Sequence, residues 1–312
     1  MMRRNADRKD GERRIARSFQ WVSAFFVFSF FFLGKATAST PWIFAPQADS
    51  LARICFRKAY ITKGRPQQVT LTITTTGFCK LYVNECKVGT APYMPLRSDG
   101  NQKAVELTFD TTPYMRPDTN VVAVLYSPVG PADTETQIAV RLFGRDHDHA
   151  VFCYESDDSW LCRRANSWIT PNGEEIVDGR SHDQQWEAAT IYDSALWLQA
   201  KKGTASSSCA YSDQAVLPAI THITTWYQDS ILQNDITAPN GFYGFYRATI
   251  REARRGEEIC LGPLRYICNG SMDEQAYPQF GAAYTKGITV KGNVKRLTTL
   301  EMIEVNRKEN YE

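Results

Sequence analysis

Gln67-Gln68-Val69-Thr70-Leu71-Thr72-Ile73-Thr74-Thr75-Thr76 is the stretch that decides the fold. Val69, Leu71 and Ile73 fall on one side of an extended chain, and Thr70, Thr72 and Thr74 fall on the other. That is the period-two pattern of a strand with one buried face. Working outward, residues 80–83, 104–109, 120–126 and 137–143 repeat the theme between Gly, Pro, Asn and Asp turns. No long segment with a 3.6-residue period occurs anywhere. Short strands at intervals of about 8–12 residues without helices predict a sandwich or jelly roll.

Length sets the number of such units. A chain of 312 residues suits about two domains of roughly 100–200 residues each. Residues 40–202 are expected to form a first jelly roll. Residues 203–208 lie in the small, polar run Lys201-Lys202-Gly203-Thr204-Ala205-Ser206-Ser207-Ser208 and read as a linker. A second strand-rich block at 209–305 is long enough for one smaller sandwich, leaving 306–312 as a tail.

The first 38 residues are of a different kind. Arg3, Arg4, Lys9, Arg13, Arg14 and Arg17 precede an apolar run from Trp21 to Leu33, followed by Lys35 and Ala36-Thr37-Ala38. This is the order of a secretory signal peptide cleaved after Ala38, which predicts a secreted or periplasmic protein. An uncleaved membrane anchor is the alternative. The formal charge of the whole chain is +2. Removing the basic leader leaves a slightly acidic remainder, without the cationic footprint that nucleic acid demands.

Eight cysteines follow the leader: Cys55, Cys79, Cys86, Cys153, Cys162, Cys209, Cys260 and Cys268. Their spacing is neither that of a small disulfide scaffold nor that of a zinc site, and no C-x-x-C occurs. Most read as small buried hydrophobes, and Cys79 with Cys86 across a hairpin is the pair to test for a disulfide. His147-Asp148-His149 has the residue types of a metal site but reads as a solvated turn. Asn269-Gly270-Ser271 fits a glycosylation sequon, a short match. No metal site and no cofactor are expected.

Several phrases of the first block resemble the N-terminal domain of bacterial α-L-rhamnosidases, glycoside hydrolase family 78. Tyr82-Val83-Asn84-Glu85-Cys86-Lys87-Val88-Gly89 is similar to the family's Y-[IV]-N-G-x-x-V-G hairpin, with Glu85 in place of glycine. Asp110-Thr111-Thr112-Pro113-Tyr114 and Asn120-Val121-Val122-Ala123-Val124 resemble D-V-T-x-x-L and G-x-N-V-I-A-V. Ser156-Asp157-Asp158-Ser159-Trp160 resembles S-D-x-S-W, and Glu175-Ile176-Val177-Asp178-Gly179-Arg180 resembles E-x-Y-D-A-R. Trp186 and the segment from Tyr192 to Ala200 resemble the closing D-D-x-x-W-x-x-A. In the second block, residues 241–250 and 255–257 and Gly270-Ser271-Met272-Asp273-Glu274-Gln275 resemble the sandwich that precedes the catalytic barrel. At Tyr126-Ser127-Pro128-Val129-Gly130 the chain departs from a Gly-Trp-Tyr segment that helps form a sugar-contacting surface in the family.

The resemblance implies a galactose-binding-like jelly roll followed by a smaller β-sandwich. Glycoside hydrolysis uses two facing carboxyl groups, and in this family both belong to an (α/α)6 barrel of about 200 residues. Seven residues follow Val305, so the barrel is expected to be absent. The leading expectation is therefore a non-catalytic, carbohydrate-associated module, taking L-rhamnose-containing glycans and working with or without a separate catalytic chain. An intact glycosidase using unrecognised carboxylates among Glu174, Glu175, Asp178, Asp273 and Glu274 is a second reading. A periplasmic protein-docking module is a third.

Asn84, Trp160, Asp178 and Arg180 are the residues named for sugar contact, because aromatic faces and planar polar groups suit sugar rings and vicinal hydroxyls. Each also has a structural reading: Asn84 as a turn residue, Trp160 as core, and Asp178 with Arg180 as an ion pair that staples the domains.

Overall fold

The computed structural model describes residues 40–46, 48, 51–95, 104–129, 136–181, 186–189, 196–204, 209–211, 217–227 and 235–306. The leader at 1–38, most of the expected linker (205–208) and the tail beyond Asn306 lie outside the described residues.

The all-β expectation holds. Every described element longer than three residues is a strand, and the strands form one seven-stranded and one fourteen-stranded sheet. In the first sandwich, Gln67–Thr75 runs between Ala104–Asp110 and Gln137–Arg145, antiparallel to both. Facing it, Ala52–Ile61 runs between Leu161–Ile169 and Thr119–Ser127. Val69, Leu71 and Ile73 are fully buried against Ile54, Phe56, Leu81, Val122, Val124 and Trp160, as the alternation predicts.

The opposite face of Gln67–Thr75 is less open than its threonines suggest. Thr72 and Thr74 are both buried. Thr72 Oγ1 lies 3.3 Å from Thr108 Oγ1, and Thr74 Oγ1 donates to Glu106 Oε2 at 3.3 Å. A strand flanked on both sides has its polar face covered by its neighbours, and Thr–Thr pairs across strands are favourable there.

The second core gathers Ile250, Ile259, Leu261, Leu264, Tyr266, Val290, Leu297 and Leu300. It is wrapped by the long strand Asp235–Arg251. The early part of that strand pairs with Ala283–Gly292, and its later part pairs with Leu297–Asn306 and Asp273–Ala276. Register breaks between Thr237 and Phe242. Gly241 sits there at φ +66°, where an added Cβ would also collide with Tyr284.

The sheets do not respect the sequence boundary between blocks. Residues 39–312 cluster as one compact unit. Glu175–Asp178, expected within the first jelly roll, pairs antiparallel with Leu161–Ile169 and parallel with Leu264–Ile267. Its Val177 packs into the second core. Cys209–Tyr211, placed by sequence at the start of the second block, pairs in parallel with Ala104–Asp110 of the first. Parallel pairs need long crossover connections, so neither is visible in local sequence.

Cys86, Cys153, Cys162, Cys260 and Cys268 carry free thiols. The Cys79–Cys86 bridge does not form. The hairpin sets Cys86 opposite Val83, four residues along the strand from Cys79. That is about 13 Å of strand, well past the roughly 7 Å a disulfide tolerates between Cα atoms.

Candidate functional site

The strand Glu175–Asp178 brings the two sandwiches edge to edge, and charged side chains close the seam. Arg53 is buried, and its Nη1 donates to Glu175 Oε1 at 2.6 Å while its Nε donates to Ser127 Oγ at 3.1 Å. The same Oε1 accepts the main-chain N–H of Gln279 at 2.6 Å. The Arg53 guanidinium also lies over the Phe280 ring, 5.0 Å from its centroid. Charge-assisted bonds of this kind hold partners in fixed geometry.

Lys80 lies in the same seam. Its Nζ donates to Gln279 Oε1 at 2.8 Å and sits over Phe280 and Tyr277 at 5.2 and 5.8 Å. Burial pushes its pKa down to about 7, the nearby Lys87 adds to the shift, and Glu175 opposes it. An apolar layer of Cys55, Tyr93, Val121, Leu125, Trp186 and Phe280 fills the space around these cations.

Beside the seam runs a groove of about 380 Å3. Tyr82, Tyr266 and Tyr277 line it together with Trp186, and polar Asn166, Gln279 and Ser271 stand among them. Tyr82 packs edge-on to Trp186 with ring centroids 5.3 Å apart. Asn166 Nδ2 donates to Asp178 O at 3.1 Å. A more aliphatic cleft of about 430 Å3 adjoins this groove across Arg163, Ala165, Asn166 and Ser181.

Glu274 anchors one wall. Its carboxylate accepts from the Tyr266 hydroxyl (3.0 Å) and from the main-chain N–H groups of Asn269 (2.7 Å), Gly270 (2.8 Å) and Ser271 (3.1 Å). Successive N–H groups form an anion-binding concavity, here filled by a side chain of the same chain. Tyr266 has its pKa raised, first by burial and then by the Glu274 charge.

The residues named from sequence divide between core, turn and ion pair. Trp160 is fully buried in the first core. Asn84 adopts φ +51°, and its amide is committed to Tyr114 O, Asn120 Oδ1 and the N–H of Val121. Asp178 accepts from Arg180 Nε and Nη2, both at 2.9 Å, and Arg180 holds the Asp178 carboxyl below its usual range. Neither is among the groove's lining residues, although their chain neighbours Val177, Gly179 and Ser181 are. The structure does not bring Asn84 or Trp160 into that lining.

Of the carboxylates considered from sequence, Glu175 pairs with Arg53, Asp273 with Arg251 and Asp178 with Arg180, while Glu174 is exposed. Asp148 of the His147–His149 segment pairs with Lys63. Asn269 Oδ1 accepts from the Ser271 N–H at 2.6 Å, closing a tight turn at the sequon. Sequence reasoning missed Arg53, Lys80 and Tyr277 altogether, and it quoted Tyr82 and Trp186 only as parts of phrases. Lys80 did carry one signal, a cation at a core position of an otherwise apolar strand, whereas Arg53 shares its strand with Arg57 and Lys58.

Comparison with solved structures places this architecture. The α-L-rhamnosidase from Dictyoglumus thermophilum superposes with a TM-score of 0.73 at 17% identity, over 86% of this chain and 36% of that one. The fold is that of the α-L-rhamnosidases. The enzyme from Aspergillus terreus matches 87% of this chain and 36% of its own at a TM-score of 0.67 and 14% identity. That from Streptomyces avermitilis, solved in complex with L-rhamnose, matches 83% and 29% at 0.63 and 15%. The chain thus spans about a third of the length of these rhamnosidases, an extent consistent with their N-terminal region. No family model matches the sequence, and no curated protein does.

Proposed function

We propose that this chain is a non-catalytic, carbohydrate-associated module of a rhamnosidase-like protein, and that the groove beside the Glu175–Asp178 strand receives a rhamnose-containing glycan. The observation that carries this reading is the rhamnosidase fold over 86% of the chain, at about a third of the enzyme's length. The groove supports it in chemical terms. Tyr82 and Tyr277 offer half-buried aromatic surface, Asn166 and Gln279 offer planar amides, and Arg180 lies between the lining residues Gly179 and Ser181. Flat apolar surface with a few fixed polar groups is how small-ligand sites gain orientation. The module binds and positions sugar, and bond cleavage belongs to a catalytic domain or a separate catalytic chain. Export through the leader at 1–38 delivers it to the periplasm or medium, where such glycans are met.

Calorimetric titration of the protein with L-rhamnose and a rhamnosyl oligosaccharide tests this. Weak, saturable binding is expected, lowered by Tyr277→Ala. No heat at millimolar sugar ends the sugar reading and leaves the module as a docking scaffold.

A further inference from the structure

A second cavity, of about 240 Å3, opens within the second sandwich. Its walls are Phe245, Leu261, Leu264, Pro278 and Ile288, and Glu175 stands among them. Both hydrogen bonds to the Glu175 carboxylate, from Arg53 and from Gln279 N–H, go to Oε1. Oε2 takes none, and it lies 3.6 Å from the position a Cβ on Gly281, another lining residue, would occupy. The residue is 7% exposed. Tyr246 and Thr285 also line the cavity, Thr285 Oγ1 already donating to Gly287 O and the Tyr246 hydroxyl buried without a partner. The walls are otherwise apolar, and the Glu175 carboxylate oxygen brings an unused acceptor site to them.

We propose that this cavity binds a small single-ring compound carrying one hydroxyl, a phenol in chemical class, with the hydroxyl donating to Glu175 Oε2. Size argues for one ring, because an apolar cavity of about 150 Å3 already holds benzene, whereas drug-sized ligands need about 300 Å3 or more. Polarity argues for one hydroxyl. A sugar ring would carry several hydroxyls into apolar walls without partners, which is costly. Charge argues against a carboxylate-bearing ligand, which would meet Glu175 as a like charge, and Arg53 already neutralises Glu175, so no cation is required. Buried acceptors left unpaired are expensive, and a donor that satisfies one gains correspondingly. The inference does not depend on the glycan groove, which has different walls.

The test is calorimetry of the intact chain with p-cresol, toluene and benzoate as probes. Saturable p-cresol binding is expected, with toluene weaker by at least about tenfold because it lacks the donor, and benzoate weaker still. Ala283→Trp, at a solvent-exposed lining position, fills the mouth and abolishes p-cresol binding while the melting midpoint stays put. Glu175→Gln is the direct variant, but it disturbs the pair with Arg53, so Ala283→Trp keeps the question decidable. The proposal is overturned if p-cresol gives no saturable heat, if toluene binds as tightly as p-cresol, or if the folded Ala283→Trp protein binds p-cresol undiminished.

Discussion

Arg53 and Glu175, 122 positions apart in sequence, form a buried ion pair at 2.6 Å across the seam between the sandwiches. Arg53 belongs to a central strand of the first sandwich, and Glu175 opens the strand that adds to the sheet of the second. The pair therefore sets how the two units register. Their edges meet through main-chain ladders, which pair in more than one register unless something fixes them. A desolvated ion pair tolerates little displacement, and in some proteins buried polar or ionic groups are retained for specificity rather than stability.

Removing one partner should expose this. Arg53→Met leaves Glu175 uncompensated in the seam, and a loss of about 3–5 kcal/mol in unfolding free energy is expected. The double variant Arg53→Met/Glu175→Leu should recover much of that loss, since replacing both charges by apolar groups is often neutral. Urea unfolding of the two variants decides it. A single-variant loss below about 1 kcal/mol would mean that the pair is solvated and does not hold the seam.

Lys80 gives the seam a pH dependence. Unfolded, it keeps its proton up to the ordinary lysine value of 10.5, and folded it releases the proton near 7. Between those values the unfolded chain binds more protons, so this group makes stability rise with pH through that window. Below about 7 both states are protonated, and the cost of burying the charge is present in full. Lys80→Met should be more stable than the parent at pH 6, by on the order of 1 kcal/mol or more. The advantage should shrink as pH climbs from 7 toward 10. Melting midpoints across pH 6–10 would show it, and parallel curves for the two proteins would sink the assignment.

Glu274 holds the turn at 269–271 by accepting from three main-chain N–H groups and one phenol. Glu274→Ala leaves these donors without their acceptor, for an expected loss of about 2–3 kcal/mol or more. Glu274→Gln keeps an acceptor and should fall between the two. In Glu274→Gln the Tyr266 phenol, freed of an adjacent charge, should ionise at lower pH in a spectrophotometric titration. An unchanged titration would show that burial alone governs Tyr266.

The strands of the first sandwich were legible because Val69, Leu71 and Ile73 alternate with threonines, and an alternating pattern states which face is buried. The seam was not. Glu175–Asp178 pairs with Leu264–Ile267, a partner far along the chain, and the four residues Glu-Ile-Val-Asp carry no mark of the sheet they will join. Arg53 and Lys80 were hidden for a related reason. A cation inside a strand reads as an exposed residue until its partner is known, and both partners come from elements far away in sequence. Trp160 and Asn84 show the converse: they were picked out by chemical type, which suits sugar, whereas burial and turn geometry commit both to the fold.

That contrast yields a prediction about the glycan groove. Asn84 and Trp160 are buried and engaged, so Asn84→Ala and Trp160→Phe should lower stability while leaving sugar affinity, measured on the folded fraction, near the parent value. Tyr277 lines the groove, Arg180 lies between the lining residues Gly179 and Ser181, and neither is part of either main core. Tyr277→Ala removes aromatic surface of the kind worth about 0.5–1.5 kcal/mol, so Kd for a rhamnosyl oligosaccharide should rise about two- to tenfold. Arg180→Ala should weaken binding less, because its guanidinium is already bonded twice to Asp178. Tyr277→Phe should bind as the parent does, since the ring face rather than the hydroxyl is the contact. Should the affinity losses fall on Asn84 and Trp160 instead, with Tyr277→Ala silent, the sugar would have to lie on the far side of the first sandwich and the groove would not be its site.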